Sequence, residues 1–225
     1  MLIAIEGVDA SGKETQANLL LERLQSENRN VMKVKFPNYE SMAAGAVKMY
    51  LNGDFGSSPD DVNPYAASAF YAIDRYASYK TGWGGFYGDG GIVLADRYTM
   101  SNMIHQGVKI PEPSLRREYY NWLVDLEFGK FGLPIPDIII FLDLSMELRI
   151  KLIEKRMRDE AAAAARGKPD IHESDRDYLN RAHICAHEAS ELYGWTRIDA
   201  ERDGALRDAD DIHGEIYAAI KHLLI

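Results

Sequence analysis

Gly7-Val8-Asp9-Ala10-Ser11-Gly12-Lys13-Glu14-Thr15 is the stretch that decides the fold. A short run, Leu2-Ile3-Ala4-Ile5-Glu6, feeds directly into Gly7, and four residues separate Gly7 from Gly12-Lys13. A helical apolar pattern follows at once, with Ala17, Leu20, Leu21 and Leu24 at spacings of three and four. Strand, Gly-x-x-x-x-Gly-Lys, helix is the setting of a phosphate-binding loop. Its glycines let the backbone turn sharply and bring successive N–H groups toward a phosphate. The helix N-terminus adds partial positive charge, and Lys13 reaches the outer phosphates. Such a loop usually carries Ser or Thr after the lysine as a magnesium ligand; here Glu14 stands there, with Thr15 next. Three arrangements are open: Thr15 replaces the ligand, the Glu14 carboxylate does, or the ion is held through water.

Working outward, five short apolar runs recur between helical patterns: Leu2–Ile5, Val31–Phe36, Ile92–Ala95, Asp137–Leu144 and Thr196–Ile198. Continuous apolar strands separated by helices predict a parallel sheet buried on both faces. Helices are predicted over Lys13–Glu27, Gly45–Asn52, Pro64–Lys80, Pro113–Gly129, Met146–Ala165, Asp175–Tyr193 and Gly204–Leu224. Gly82–Gly91, with six glycines, reads as a surface loop. A length of 225 residues suits one α/β domain with a large core. The net charge of −9 argues against nonspecific nucleic-acid binding, so a nucleotide must be met by a local basic cluster. The lone Cys185 excludes an internal disulfide and fits a reducing cytoplasm. The N-terminus resembles no signal peptide, and no apolar run approaches about 18 residues, so no membrane association and a cytoplasmic location are expected.

One basic cluster stands out in this acidic chain. Lys155, Arg156, Arg158, Arg166 and Lys168 surround an alanine tract and precede Pro169. On its own such a cluster is a solvated helix face. In a phosphate-binding protein it reads as a mobile lid, roughly residues 155–170, that closes over transferring phosphates. Asp96-Arg97-Tyr98 follows the third strand, where ligands of open α/β sheets bind. Asp96 is suited to hold magnesium and Arg97 to grip a phosphate with its planar fork. Phe36-Pro37-Asn38-Tyr39 ends the second strand, and taken alone both aromatics read as core. Tyr71 and Arg75, four apart on a helix, share one face and could seat a base and its monophosphate; Arg75 could instead pair with Asp74 or Glu118.

Gly-Val-Asp-x-x-Gly-Lys-x-Thr, Phe-Pro-x-Tyr, Asp-Arg after an aromatic, and Asp-Arg-Tyr-x-x-Ser-Asn occur in this order over essentially the whole chain, which thereby resembles the thymidylate kinases. The resemblance implies a three-layer P-loop nucleoside monophosphate kinase fold: a five-stranded parallel sheet, helices on both faces, a short lid. It implies phosphorylation of dTMP to dTDP for dTTP biosynthesis, with ATP as donor, Mg2+ as cofactor, and a homodimer. By the same resemblance, Gly7 to Thr15 bind the ATP phosphates, and Lys13 stabilises the phosphoryl group in flight. Asp9 lies between donor, acceptor and metal. Phe36, Tyr39, Arg75 and Arg97 shape the acceptor side, with both arginines on its phosphate. Tyr71 stacks on thymine, while Arg75, Asn102 and Gln106 are candidates for its edge, Asn102 foremost. Asp170, His172 and Glu173 approach the sugar and magnesium.

Two departures matter. His105 stands where relatives often have a tyrosine packed on the sugar, so ribonucleotide exclusion is left open. Ala10 stands where some relatives carry a loop arginine; others place it in the lid, which here offers Arg156, Arg158 and Arg166. The chain therefore reads as the lid-arginine type. The alternatives are a kinase for another deoxynucleotide or deoxynucleoside, and a nucleotide-binding regulator that lost catalysis through Glu14. A GTPase switch is disfavoured by the absence of an Asn-Lys-x-Asp motif.

Overall fold

Strands β1 (Leu2–Glu6) and β3 (Ile92–Asp96) are buried along their whole length, as central strands of a sheet covered on both faces must be. The computed structural model describes residues 1–162 and 176–224, the side chains of 155–162 and 176–177 excepted. Among these residues, β2 (Val31–Lys35), β4 (Ile138–Asp143) and β5 (Thr196–Asp199) complete one parallel sheet, ordered β2-β3-β1-β4-β5. Side chains alternate along each strand. Leu2, Ala4, Val93, Ala95 and Phe141 enter the core beneath α5 (Met100–Gly107), α6 (Pro113–Val124) and α8 (Arg176–Tyr193). Ile3, Ile5, Leu94, Ile140 and Leu142 enter the opposite core, beneath α1 (Lys13–Ser26) and α9 (Ala209–Ile220).

Register fixes the site. Asp96 pairs in level with Ile5 on one side and with Lys35 on the other. The chain therefore leaves β1, β2 and β3 at one edge, and the loop from Gly7, the Phe36-Pro37 segment and Arg97 emerge side by side. Helix α3 (Pro64–Ser78), begun by an Asn63 side chain that accepts from the Ala66 N–H, closes the far side of this edge. The remaining helices are α2 (Gly45–Asn52), the short α4 (Gly84–Gly88) and α7 (Met146–Ala162).

Three segments depart from the sequence prediction. Gly82–Gly91 is not a loop: α3 runs on through a π-helical turn, Tyr79–Trp83, into α4. Trp83 is buried, its ring 4.8 Å from that of Tyr79 and 6.3 Å from that of Tyr98, and aromatic burial outweighs the low helix propensity of the glycines. Helix α5 was not expected. All eight of its residues are buried, including Ser101, Asn102, His105 and Gln106, so its polar side does not face solvent and reads in the sequence as a motif of site residues instead of a helix face. The predicted helix Gly204–Leu224 starts late, because residues 201–206 form a small hairpin, β6 (Glu201–Arg202) with β7 (Ala205–Leu206). Asp208 then caps α9 by accepting from the Asp210 N–H at 2.8 Å.

Candidate active site

Only glycine fits at position 7. Its φ is +153°, and an added Cβ would lie 2.8 Å from the Leu142 carbonyl oxygen and 2.6 Å from Ser11 Oγ. Gly12, at φ +86°, turns the chain into α1 in the left-handed region. Between them the loop doubles back, with Ser11 N–H on the Val8 carbonyl. Lys13 is buried and donates to the Val8 carbonyl at 2.7 Å and the Ser11 hydroxyl at 3.4 Å. Burial pushes its ammonium down to about 7; Arg97 adds to the shift, while Asp9, Asp96 and Glu6 oppose it. Glu14 lies on the outer surface, where its carboxylate pairs with Lys35 Nζ at 3.1 Å, and Thr15 is exposed. The carboxylates that act on Lys13 are those of Asp9, Asp96 and the buried Glu6. Among the described residues Asp9 and Asp96 belong to no set of three converging ligands.

Arg97 connects this loop to a recess. Its backbone is held at φ +68°, a conformation uncommon for a side chain of this size, and its N–H is tied to the Ile5 carbonyl at 3.1 Å. One guanidinium nitrogen, Nη1, reaches the Gly7 carbonyl at 3.3 Å, Ser101 Oγ at 3.3 Å and His105 Nε2 at 3.1 Å. The other, Nη2, forms an ion pair with Asp9. Beyond Arg97 lies an open cavity of about 90 Å³, lined by Phe36, Tyr39, Tyr71, Arg75, Asn102 and His105, with Asp9 at its loop end. Eight sequence-predicted residues thus converge on one wall system; Pro37, Leu51 and Ser101 complete it.

Comparison with known proteins agrees with this geometry. A thymidylate kinase family profile matches residues 5–208. The chain belongs to the thymidylate kinase family. Members of that family are phosphotransferases that convert dTMP to dTDP for dTTP synthesis. The chain is 31% identical over 207 residues to the thymidylate kinase of Mycobacterium tuberculosis, covering 90% of this chain and 93% of the relative. It is 26% identical over 233 residues to that of Halothermothrix orenii, covering 100% and 98%. The fold is similar to the solved thymidylate kinases of Candida albicans (TM-score 0.70, 20% identity, 98% of this chain and 91% of that one) and Ehrlichia chaffeensis (TM-score 0.66, 20% identity, 98% of each).

In this member of the thymidylate kinase family, sequence reading missed four residues around the site. Arg75 pairs with Glu127, not with Asp74 or Glu118: Nε and Nη2 each meet a carboxylate oxygen at 2.6 Å, and both side chains are buried. Burial lowers the guanidinium's proton affinity, but the Glu127 charge and hydrogen bonds outweigh it and hold the pKa above its ordinary value. Asp74 faces elsewhere, accepting from the Asn38 N–H at 2.8 Å and so fastening the Phe-Pro-Asn-Tyr segment to α3. Glu6, fully buried, accepts from Tyr98 N–H and Ser101 Oγ at 2.6 Å each; burial raises its carboxyl to about 7. Arg149, at the start of α7, is buried and donates through Nε to the Asp9 carbonyl at 3.1 Å, while its Nη2 has no hydrogen-bond partner among the described residues. Burial lowers the Arg149 guanidinium to about 10. No local pattern announces any of these partners, since each contact joins distant segments.

Gln106 is completely buried and is not among the residues lining the recess, so the structure does not bring it to the other candidates for the base edge. The side chains of Arg156 and Arg158, and all of Asp170, His172 and Glu173, lie outside the described residues. Among the described residues no helix is long and apolar enough to cross a membrane.

Proposed function

We propose that ATP with Mg2+ occupies the Gly7–Thr15 loop and that dTMP occupies the recess, with Lys13, Asp9 and Arg97 between them. The observation that carries this reading is Arg97, whose single guanidinium touches the donor loop at Gly7 and Asp9 and the acceptor helix at Ser101 and His105. In the transfer, a phosphate oxygen of dTMP forms a bond to the γ-phosphorus as the bond to the bridging oxygen of ADP breaks. A phosphate monoester is already nucleophilic, so the chain's task is positioning and charge neutralisation. Lys13 follows the transferring group and Arg97 holds the acceptor phosphate, with Arg75 behind it. Asp96 and Asp9 would hold Mg2+, which when bound would neutralise charge on the donor phosphates.

On the acceptor side, Tyr71 stacks on the base and Phe36 and Tyr39 frame it. Asn102 donates to the Ser68 carbonyl at 3.3 Å, which leaves its carboxamide oxygen as the group for the thymine N3–H; cytosine offers no proton there. His105 packs near the sugar, and Asp170, His172 and Glu173 approach it from beyond the lid. The chain is read as one domain, 1–225, whose lid at 155–170 brings Arg156 or Arg158 to the phosphates and excludes water. Exposed apolar side chains on α3 and α6, Tyr65, Ile73 and Leu115, support the homodimer, and the single thiol supports the cytoplasm. A coupled ADP-release assay with dTMP, dUMP, dCMP and thymidine tests the reading: dTMP is the best acceptor, and Lys13→Met lowers turnover about 10²–10³-fold. Preference for thymidine, or near-normal turnover without Lys13, overturns it.

A further inference from the structure

Asp143, at the end of β4, meets two histidines of α8 on the side of the sheet away from α1. His183 and His187 are four apart and so share one helix face. His187 Nε2 lies 3.1 Å and His183 Nδ1 3.9 Å from the same oxygen, Asp143 Oδ1, and all three donor atoms lie within 4.8 Å of one another. In a tetrahedral zinc site with bonds of about 2.0–2.1 Å, neighbouring ligand atoms stand about 3.3 Å apart. Both imidazole nitrogens are already within about 0.6 Å of that spacing from the carboxylate oxygen, and a pair as far apart as 4.8 Å closes by about 1.5 Å, within reach of side-chain rotation.

The cluster is not satisfied as hydrogen bonding alone. Asp143 Oδ1 takes one bond from His187, whereas 3.9 Å is too long for His183, whose Nδ1 is buried with no hydrogen-bond partner among the described residues. Asp143 Oδ2 is held by Arg197 Nη2 at 2.8 Å, so the carboxylate is oriented from behind with Oδ1 toward the imidazoles. The Phe141 ring packs edge-on against His187, 5.6 Å away. The third side is open, bordered by Ser145, Asp199 and Glu201, which leaves a path for an ion and room for a water.

We propose that Asp143, His183 and His187 form a site for a divalent transition metal, Zn2+ in type, with water as fourth ligand. Two imidazoles and one carboxylate suit Zn2+ and disfavour the oxygen-seeking Mg2+ that serves the phosphate loop. Arg149 stands between this cluster and the phosphate loop, near enough to interact with both Asp143 and Asp9. The effect of the metal is to brace α8 against the sheet, and α8 in turn holds the acceptor helix through Tyr178 Oη on the His105 carbonyl at 2.5 Å.

The test uses the whole chain, stripped with EDTA and without nucleotide. Zn2+ titrated into it binds one equivalent by calorimetry and raises the melting temperature by roughly 5–10 °C at a hundredfold excess over Kd. Co2+ gives the visible absorption of a tetrahedral site, and Zn2+ displaces it. His183→Ala and His187→Ala each weaken binding at least tenfold, whereas His222→Ala, on an exposed histidine elsewhere, does not. Imidazole NMR of the unaltered chain guards against misfolded variants: one equivalent of Zn2+ moves the signals of His183 and His187 and spares the other four of the six histidines. Absence of stoichiometric binding, binding that survives both substitutions, or shifts spread over other histidines each overturn the proposal.

Discussion

Removal of Glu127 tests how this chain holds a guanidinium inside an acceptor pocket. Arg75 and Glu127 are joined by two hydrogen bonds of 2.6 Å with side chains 2% and 0% exposed, and Thr99 Oγ1 adds a bond to the same carboxylate at 2.9 Å. Glu127→Ala leaves a buried arginine whose one remaining contact is a long 3.4 Å approach to the Tyr98 carbonyl. Stranding one partner of a buried pair costs about 3–5 kcal/mol. For a chain of this size each kcal/mol moves the melting temperature by about 2–4 °C, so a fall of roughly 6–20 °C is expected. Replacing both partners, Arg75→Met with Glu127→Leu, restores packing without a stranded charge, and the melting temperature returns to near the original value. The double variant nevertheless loses the cation that lines the recess, so its KM for dTMP rises at least about tenfold. Thermal melting and initial-rate kinetics on the two variants decide the matter. A Glu127→Ala protein that melts within about 2 °C of the parent refutes the energetic reasoning. A double variant with unchanged KM shows that Arg75 is a structural arginine and no part of the acceptor site.

Three further outcomes follow from the same geometry. Asn102→Ala narrows the preference for dTMP over dCMP about tenfold, because it removes the acceptor for thymine N3–H, whereas Tyr71→Ala weakens both substrates alike; competition kinetics with the two nucleotides would reveal a reversed pattern. Arg149→Met lowers turnover about 10–100-fold by freeing the loop at Asp9, yet leaves melting unchanged or raised, since it removes a buried charge; a large loss of stability with normal turnover contradicts this. Lys13 titrates near 7 instead of 10.5, so between these values the unfolded chain binds more protons and stability rises with pH; Glu6, raised from 4.5 to about 7, binds its proton more tightly when folded, and its contribution is lost as pH climbs through that window. Without nucleotide, stability therefore passes through a minimum near pH 7, seen by urea denaturation across pH. Bound triphosphate restores the Lys13 charge, and calorimetry at pH 8 in two buffers detects uptake of about 0.9 proton; equal heats in both buffers exclude it.

The sequence by itself determined what is written locally. Gly7 and Gly12-Lys13 between an apolar run and a helical period specify the loop, and uninterrupted apolar strands alternating with helices specify a parallel sheet. The family motifs then bring Asp9, Phe36, Tyr39, Tyr71, Arg97, Asn102 and His105 to one recess. What tertiary structure alone decided is partnership. Arg75 takes Glu127, 52 positions away, over the adjacent Asp74, because α3 turns one residue toward the core and the other toward Asn38. Arg149 reaches Asp9 across 140 positions, and Glu6, embedded in an apolar run, holds Tyr98 and Ser101. Helix α5 escaped notice for a related reason: its polar residues Ser101, Asn102, His105 and Gln106 are buried instead of facing solvent, which only the tertiary structure decides. Local pattern encodes which face of an element is buried; it carries no record of which distant charge will be buried against it.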